Sequence, residues 1–284
     1  MPSAYNELLD ATIQHLEDLK SHGLRYVAIS AETLGSLSQA PLRQPATGSR
    51  KPELEAQNSS ALDSRPFSAS KPGEDGSNLD KATAFAALRE RALVCVKCPH
   101  LASSRQSVVF GVGSIDAQLM FVGEAPGADE DEQGEPFVGA AGQLLTRIIQ
   151  ATGLSRGDVY IANILKCRPD MPPGSSGNRK PTPDEMTTCI SYLHEQIDMI
   201  RPKVLVALGG TALEGLLNKS GITKLRGQWQ TYRGTPLMPT YHPAYLLRNQ
   251  AMSEKRKVWE DMLAVMEKLG MPISEKHRNY FLKA

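Results

Sequence analysis

The sequence predicts an α/β protein. It reads as a three-layer α/β/α sandwich on a central four-stranded, mostly parallel sheet, preceded by an N-terminal helical appendage on a disordered linker. Three observations carry this reading. Short apolar runs, with the pattern of strands covered on both faces, recur along the chain. Helical patterns separate them, which implies parallel crossovers with helices on both faces of the sheet. Each run ends in glycine or polar residues, at the edge where sheets of this class build ligand sites.

Leu8, Leu9, Ile13, Leu16 and Leu19 recur at helical spacing, so residues 4–22 read as a helix that Gly23 ends. Residues 26–29 read as a short strand. Residues 36–80 are rich in Ser, Pro, Ala, Gly and charge with almost no large apolar side chains, the composition of a disordered linker. The expected organisation is an appendage over 1–35, a linker over 36–80, a catalytic domain over 81–270 and a tail over 271–284. Residues 81–94 read as a helix. Strands are expected at 118–123, 158–164, 203–208 and 235–240, and helices at 140–152, 183–200, 211–218 and 254–269. Two of these helices carry start signals. Thr182-Pro183-Asp184-Glu185 is a capping box with proline at the first helical position, and Thr211 to Glu214 repeats the box after Gly209-Gly210.

The bulk numbers exclude little. The chain has 284 residues, 40% hydrophobic and 22% charged, with a net charge of +1. Residues 1–80 hold 7 Lys+Arg against 11 Asp+Glu, and the remainder holds 25 against 20. A mildly basic body fits nucleic-acid binding without announcing it. The apolar runs are all too short to span a bilayer, so no membrane association is expected. The N-terminus lacks the basic-then-apolar pattern of a signal peptide, and the expected location is the cytoplasm. There, four cysteines are metal ligands or thiols in preference to disulfides.

The chain is organised around residues 121–145. A strand end turns through Gly123-Glu124-Ala125-Pro126-Gly127, passes four consecutive acids, Asp129 to Glu132, presents Phe137 and enters a helix near Gly139. So long a strand-to-helix loop is the expected home of a ligand. The other strand ends deliver Asn163 with Lys166-Cys167-Arg168, then Gly209-Gly210, then Tyr241-His242-Pro243-Ala244. No GxGxxG fingerprint or Walker lysine accompanies the glycines, which argues against a nucleotide-binding transferase. Cys95 and Cys98 form a CxxC pair, with Cys167 and Cys189 far along the chain. As one site these four thiolates suit either tetrahedral zinc or an iron–sulfur cluster, and the spacing does not choose.

Over about residues 84–268 the chain resembles the family-4 uracil-DNA glycosylases, the iron–sulfur branch of the uracil-DNA glycosylase superfamily. The resemblance rests on motifs in order: Cys95-Val-Lys-Cys98-Pro; Gly123-Glu-Ala-Pro-Gly127 with Glu130-Asp131; Glu135-Pro-Phe-Val-Gly139 with Ala141-Gly142; Asn163-Ile-Leu-Lys-Cys-Arg-Pro169; Asn178-Arg with Pro181-Thr-Pro-Asp-Glu185; Leu208-Gly; and His242-Pro-Ala-Tyr. It implies a 4Fe–4S cluster on Cys95, Cys98, Cys167 and Cys189. It also implies a monomer acting on uracil-containing DNA, single- or double-stranded. The 168–181 loop is longer than the family's usual connection, and it holds no histidine of the kind that bonds covalently to uracil in a related branch.

The implied reaction is hydrolysis of the bond between uracil and deoxyribose after the base has been flipped from the stack. His242 is expected to hydrogen-bond a uracil carbonyl as negative charge develops there, as a neutral or a cationic ring. Asn163 offers the donor and acceptor that a uracil edge needs, and Phe137 stacks on the base. Glu124 positions water or stabilises the cationic sugar. Glu130 lies near the base and helps exclude thymine. The backbone of Gly123, Ala125 and Gly127 approaches the base or a phosphate. Tyr245, Leu246 and Leu247 are candidate wedges into the gap left by the uracil, with Arg248 toward phosphate. The competing reading is a non-catalytic iron–sulfur module that binds DNA without releasing uracil. The partner of the N-terminal helix is unknown.

Overall fold

The computed structural model describes residues 75–282 apart from 173 and 176. The expected front helix, short strand and most of the linker lie outside these residues; the last six residues of the expected linker, 75–80, are helical instead. In chain order the helices are α1 (Asp75–Leu93), α2 (Pro99–Ser104), α3 (Ala128–Gln133), α4 (Ala140–Ala151), α5 (Pro183–Ile200), α6 (Gly210–Leu217), α7 (Ile222–Leu225), α8 (Pro243–Arg248), α9 (Met252–Lys268) and α10 (Glu275–Asn279). The strands are β1 (Val112–Gly113), β2 (Leu119–Gly123), β3 (Tyr160–Asn163), β4 (Val204–Leu208), β5 (Gln230–Tyr232) and β6 (Thr235–Thr240). The sheet order is β1-β3-β2-β4-β6-β5. The four expected strands form its centre and pair in parallel. Two short antiparallel edge strands, β1 and β5, widen it to six. These edges are two and three residues long, too short to show a period in sequence.

Alternate residues of the central strands face opposite layers, as the pleat dictates. Met120 and Val122 of β2 join Ala162, Leu205 and Ala207 in a core capped by Leu88 of α1, Leu193 and Ile197 of α5 and Leu216 of α6. Leu119 and Phe121 join Ile161, Val204, Val206 and Met238 in a second core capped by Leu145 and Ile149 of α4 and Trp259, Met262 and Val265 of α9. All five residues of β2 and of β4 are buried, which is why their sequences read as unbroken apolar runs.

α5 begins at the expected capping box. Thr182 Oγ1 accepts from the Glu185 N–H at 3.2 Å, and Glu185 Oε2 accepts from the Thr182 N–H at 2.7 Å. The same carboxylate binds Arg179, Nη1 at 2.9 Å and Nη2 at 2.6 Å, and faces His100 Nε2 at 2.8 Å. These partners hold the Glu185 carboxyl down at about 2, the Arg179 bonds contributing most. Arg179 also pairs with Asp170, so the network pins the 168–181 loop to α5.

The C-terminal segment is more ordered than the expected tail. Ser274 Oγ accepts from the His277 N–H at the start of α10. Trp259 Nε1 then donates to the His277 carbonyl at 2.6 Å and Arg256 Nη1 to those of Arg278 and Tyr280. α9 therefore carries residues 274–281 as a strap. Among the described residues no helix is long and apolar enough to cross a membrane.

Candidate active site and cysteine centre

Parallel pairing puts the C-terminal ends of β2, β3 and β6 on one rim. Gly123 lies beside Asn163 in register, and a Cβ on Gly123 would sit 2.6 Å from Phe137 Cζ and inside the Asn163 side chain. Only glycine at that strand end lets the amide and the ring converge. The result is a cavity of about 140 Å³ lined by Ala125, Gly127, Glu130, Phe137, Asn163 and His242, with Asn178, Ala141 and Ala244 completing it. That is below the ~300–1,000 Å³ of drug-sized pockets and suits one heterocyclic ring.

Asn163 is 2% exposed, and its Oδ1 is buried without a hydrogen-bond partner. An orphaned acceptor of this kind costs about 1–3 kcal/mol, so its presence in a cavity wall marks a place where a ligand's N–H belongs. His242 is the N-cap of α8, and its Nδ1 accepts from the Ala244 N–H at 3.1 Å. A ring nitrogen that accepts carries no proton, so the neutral ring has its N–H on Nε2. Burial, reinforced by the Arg248 guanidinium, pushes the ring down to about 4. The imidazole is neutral at physiological pH and offers Nε2 as a donor.

Phe137 is buried, its ring centroid 5.6 Å from that of His242. Its φ of 56° is rare for a bulky side chain and costs about 1–3 kcal/mol. Three supports offset this. Arg156 donates to the carbonyls of Pro136 at 2.8 Å and Phe137 at 3.2 Å. Gly142, in the first turn of α4, leaves room for the Phe137 carbonyl, which any Cβ there would overlap. Glu130 binds the loop from within: Oε1 accepts from the N–H groups of Val138 at 2.9 Å and Gly139 at 3.1 Å, and Oε2 from Gly127 at 3.0 Å. Glu130 thus lines the cavity while its lone pairs are spent on backbone.

The acidic run is a helix, not a loop. Asp129, Glu130 and Asp131 occupy the first turn of α3, where the exposed N–H groups favour negative charge. Its acids divide the work: Asp131, 2% exposed, accepts from the N–H groups of Gln106 and Ser107, while Asp129 and Glu132 are exposed.

Glu124 does not line the cavity. It is half-buried and bonded to Thr211 at the start of α6, and burial raises its carboxyl above the ordinary range. Leu246 is 5% exposed and packs with Tyr241 and Val258, so it is spent on seating α8 and is not the protruding wedge expected of it. Tyr245 is half-buried, its hydroxyl donating to Glu254 Oε2 at 3.1 Å. Leu247 is half-buried and Arg248 exposed, which leaves these two at the surface of α8.

Three residues that matter here were not expected to. Asn178 lines the cavity, and its only sequence signal was the Asn-Arg motif. Arg156 acts on backbone carbonyls 19 and 20 residues away, which leaves no trace in a sequence. Lys166 is 2% exposed, and its Nζ donates to the Asn163 carbonyl at 2.9 Å and to Gln196 Oε1 at 2.7 Å, bracing the strand end that carries Asn163.

On the other side of that strand end, Cys95, Cys98, Cys167 and Cys189 line one small space with Leu101 and Leu165. Cys95 and Cys98 flank the turn between α1 and α2, Cys167 follows β3 and Cys189 lies in the second turn of α5. Arg105 Nη1 donates to the Cys167 sulfur at 3.1 Å and the Lys166 N–H to the Cys189 sulfur at 3.3 Å. Apolar walls with N–H donors aimed at sulfur suit a centre held by thiolates. The group of His100, Asp170 and Glu185 also has ligand atoms within 4.8 Å of one another, but Arg179 already occupies both carboxylates.

The family model for the uracil DNA glycosylase superfamily matches residues 110–263. The chain is 46% identical over 179 residues to a type-4 uracil-DNA glycosylase of Thermotoga maritima, covering 61% of this chain and 88% of that protein. It is 41% identical over 206 residues to the type-4 protein of Sulfurisphaera tokodaii, covering 69% and 89%. Likeness to a type-5 uracil-DNA glycosylase of Pyrobaculum aerophilum is lower, 30% over 189 residues, covering 55% and 80%. With the cavity, the four convergent cysteines and these matches together, the chain belongs to the uracil-DNA glycosylase superfamily, and within it to the type-4 family.

Proposed function

We propose that this protein removes uracil from DNA by hydrolysing its N-glycosidic bond, the first step of base-excision repair. The observation that carries the reading is the unpartnered Asn163 Oδ1 in a one-ring cavity, facing a neutral His242. Uracil brings an N–H to the amide oxygen and a carbonyl to the amide nitrogen, whereas cytosine presents a lone pair to that oxygen. The base stacks on Phe137. As the bond to the sugar lengthens, negative charge gathers on the uracil, and Nε2–H of His242 donates to the carbonyl oxygen that receives it. A donor placed where charge develops stabilises the transition state more than the ground state. Glu124, outside the base cavity, acts on the sugar side, on water or on the developing cation. Glu130 shapes the wall against a 5-methyl group by holding the Gly127 and Val138 backbone in place.

The four cysteines hold a 4Fe–4S cluster, and the cluster ties α1, α5 and the strand end of Asn163 together while supplying none of the cleavage chemistry. Cys167 and Cys189 are buried, and burial pushes the Cys189 thiol up to about 11. A metal centre would take these sulfurs as thiolates and release their protons on binding.

The test is release of free uracil from a uracil-containing oligonucleotide, single- and double-stranded. His242→Ala and Asn163→Ala should each lower the single-turnover rate about 10²–10³-fold, the cost of losing one such donor, with the fold intact by circular dichroism. Full activity in both variants would sink the pocket assignment. DNA binding by the wild type without uracil release would favour the non-catalytic module.

A further inference from the structure

Beyond the base cavity lies a second groove, of about 220 Å³, lined by Leu144, Ile148, Leu247, Trp259 and Phe281 with Arg147 and Lys255 at its edge. We propose that it holds a second, unstacked base, from the nucleotide next to the uracil on the same strand. This rests on the glycosylase reading above and extends it from one nucleotide to two.

Continuity is the first argument. α4 and α8 run side by side from one opening to the other. Ala141 of α4 lines the base cavity, and Leu144 and Ile148, three and seven residues on along the same face, line the groove. Ala244 and Leu247 of α8 repeat the arrangement. At 1.5 Å per residue the two openings lie about 5–10 Å apart. A strand whose uracil occupies the first therefore brings its neighbour over the second. Size agrees, since the groove is somewhat larger than a cavity that suits one ring.

Charge is the second argument. Arg147 and Arg248 are exposed and Lys255 is half-buried. Among the described residues no carboxylate pairs with any of the three, whereas neighbouring Lys257 and Arg256 are paired with Glu254 and Glu260. Arg147 and Lys255 line an apolar slot with an aromatic side chain 38% exposed in its wall, and such a combination is the stacking-plus-phosphate surface that binds single strands. Phe281 is delivered there by the C-terminal strap, which explains why α9 spends a Trp indole and an Arg guanidinium on holding residues 277–280.

The experiment compares wild type with Phe281→Ala and Arg147→Ala on single-stranded oligonucleotides bearing one uracil. Each substrate carries an intact base, or an abasic analogue, on the 5′ or the 3′ side. Phe281→Ala should raise KM about fivefold or more and leave kcat within about twofold. An abasic neighbour on one side should cost the wild type the same factor and cost Phe281→Ala nothing further. Arg147→Ala should raise KM and flatten its salt dependence. Unchanged KM in both variants overturns the second subsite, as does a Phe281→Ala loss that persists in full on both abasic substrates. Uracil release by the wild type from the intact oligonucleotide tests the glycosylase reading separately.

Discussion

At His242 one backbone hydrogen bond decides the tautomer. Because Nδ1 accepts from the Ala244 N–H, protonating the ring would set two N–H groups against each other, on top of the burial that already lowers its pKa to about 4. Single-turnover cleavage should therefore show no inflection from His242 between about pH 5 and 8. It should fall only as pH drops through about 4. A step near pH 6.5 that disappears in His242→Gln would overturn the neutral ring. Stability follows the same group with a definite sign. The folded pKa lies below the unfolded value near 6.5, so the unfolded chain binds more protons between the two. Stability conferred by the neutral ring is present above about pH 6.5 and is lost as pH falls toward 4. His242→Gln should lose less stability across that window, measured by urea unfolding. His242 and Asn163 were readable as site residues because both stand at strand ends in motifs. The protonation state was not, since it depends on the N–H of a residue two positions on and on the burial of the ring.

The loop between β2 and α4 is where sequence and structure part most. The central strands and most of the long helices fall within a few residues of their expected bounds, because strands buried on both faces leave unbroken apolar runs and amphipathic helices leave a period; α1 starts six residues early, at Asp75 where 81 was expected. α3 leaves none: four of its six residues are acids, and its one buried residue, Asp131, is a charge. Residues 121–145 were recognisable as a ligand loop, but not the fact that the loop is braced into a strained conformation from three sides. Those braces act on backbone, whose identity no sequence records. Arg156→Met should leave the Pro136 and Phe137 carbonyls unpaired, costing about 1–3 kcal/mol of stability, and should lower the excision rate by releasing Phe137 from the base. Gly142→Ala should do the same by collision, at a similar cost of about 1–3 kcal/mol. Thermal unfolding and single-turnover cleavage check both variants. If either kept full stability and full rate, Phe137 would not depend on its supports.

For the molecule as a whole, the question is what the four cysteines hold together. They come from the α1–α2 turn, from the end of β3 and from α5, so a centre on them fastens a helical layer to the strand end that carries Asn163. CxxC spacing and two remote thiols pointed to one site, and the structure does gather all four around one space. What the spacing withheld was the tie to the active site: Lys166, between Asn163 and Cys167, sends its Nζ to the Asn163 carbonyl and its N–H to the Cys189 sulfur. The clamp should therefore act on stability first and on chemistry second. Cys95→Ala should lose iron, brown colour and visible absorbance. A bond network that closes the long chain loop from Cys98 to Cys167 contributes about 3–5 kcal/mol by analogy with a cross-link of that length, so the melting temperature should fall by on the order of 10 °C. Below that melting temperature, uracil release per folded molecule should drop far less than in His242→Ala, because no cysteine lines the base cavity. A Cys95→Ala protein that keeps its melting temperature but loses cleavage as completely as His242→Ala would reverse the assignment and place the centre in the chemistry. A colourless wild type holding one zinc per chain would replace the cluster with a single ion while leaving the clamp in force.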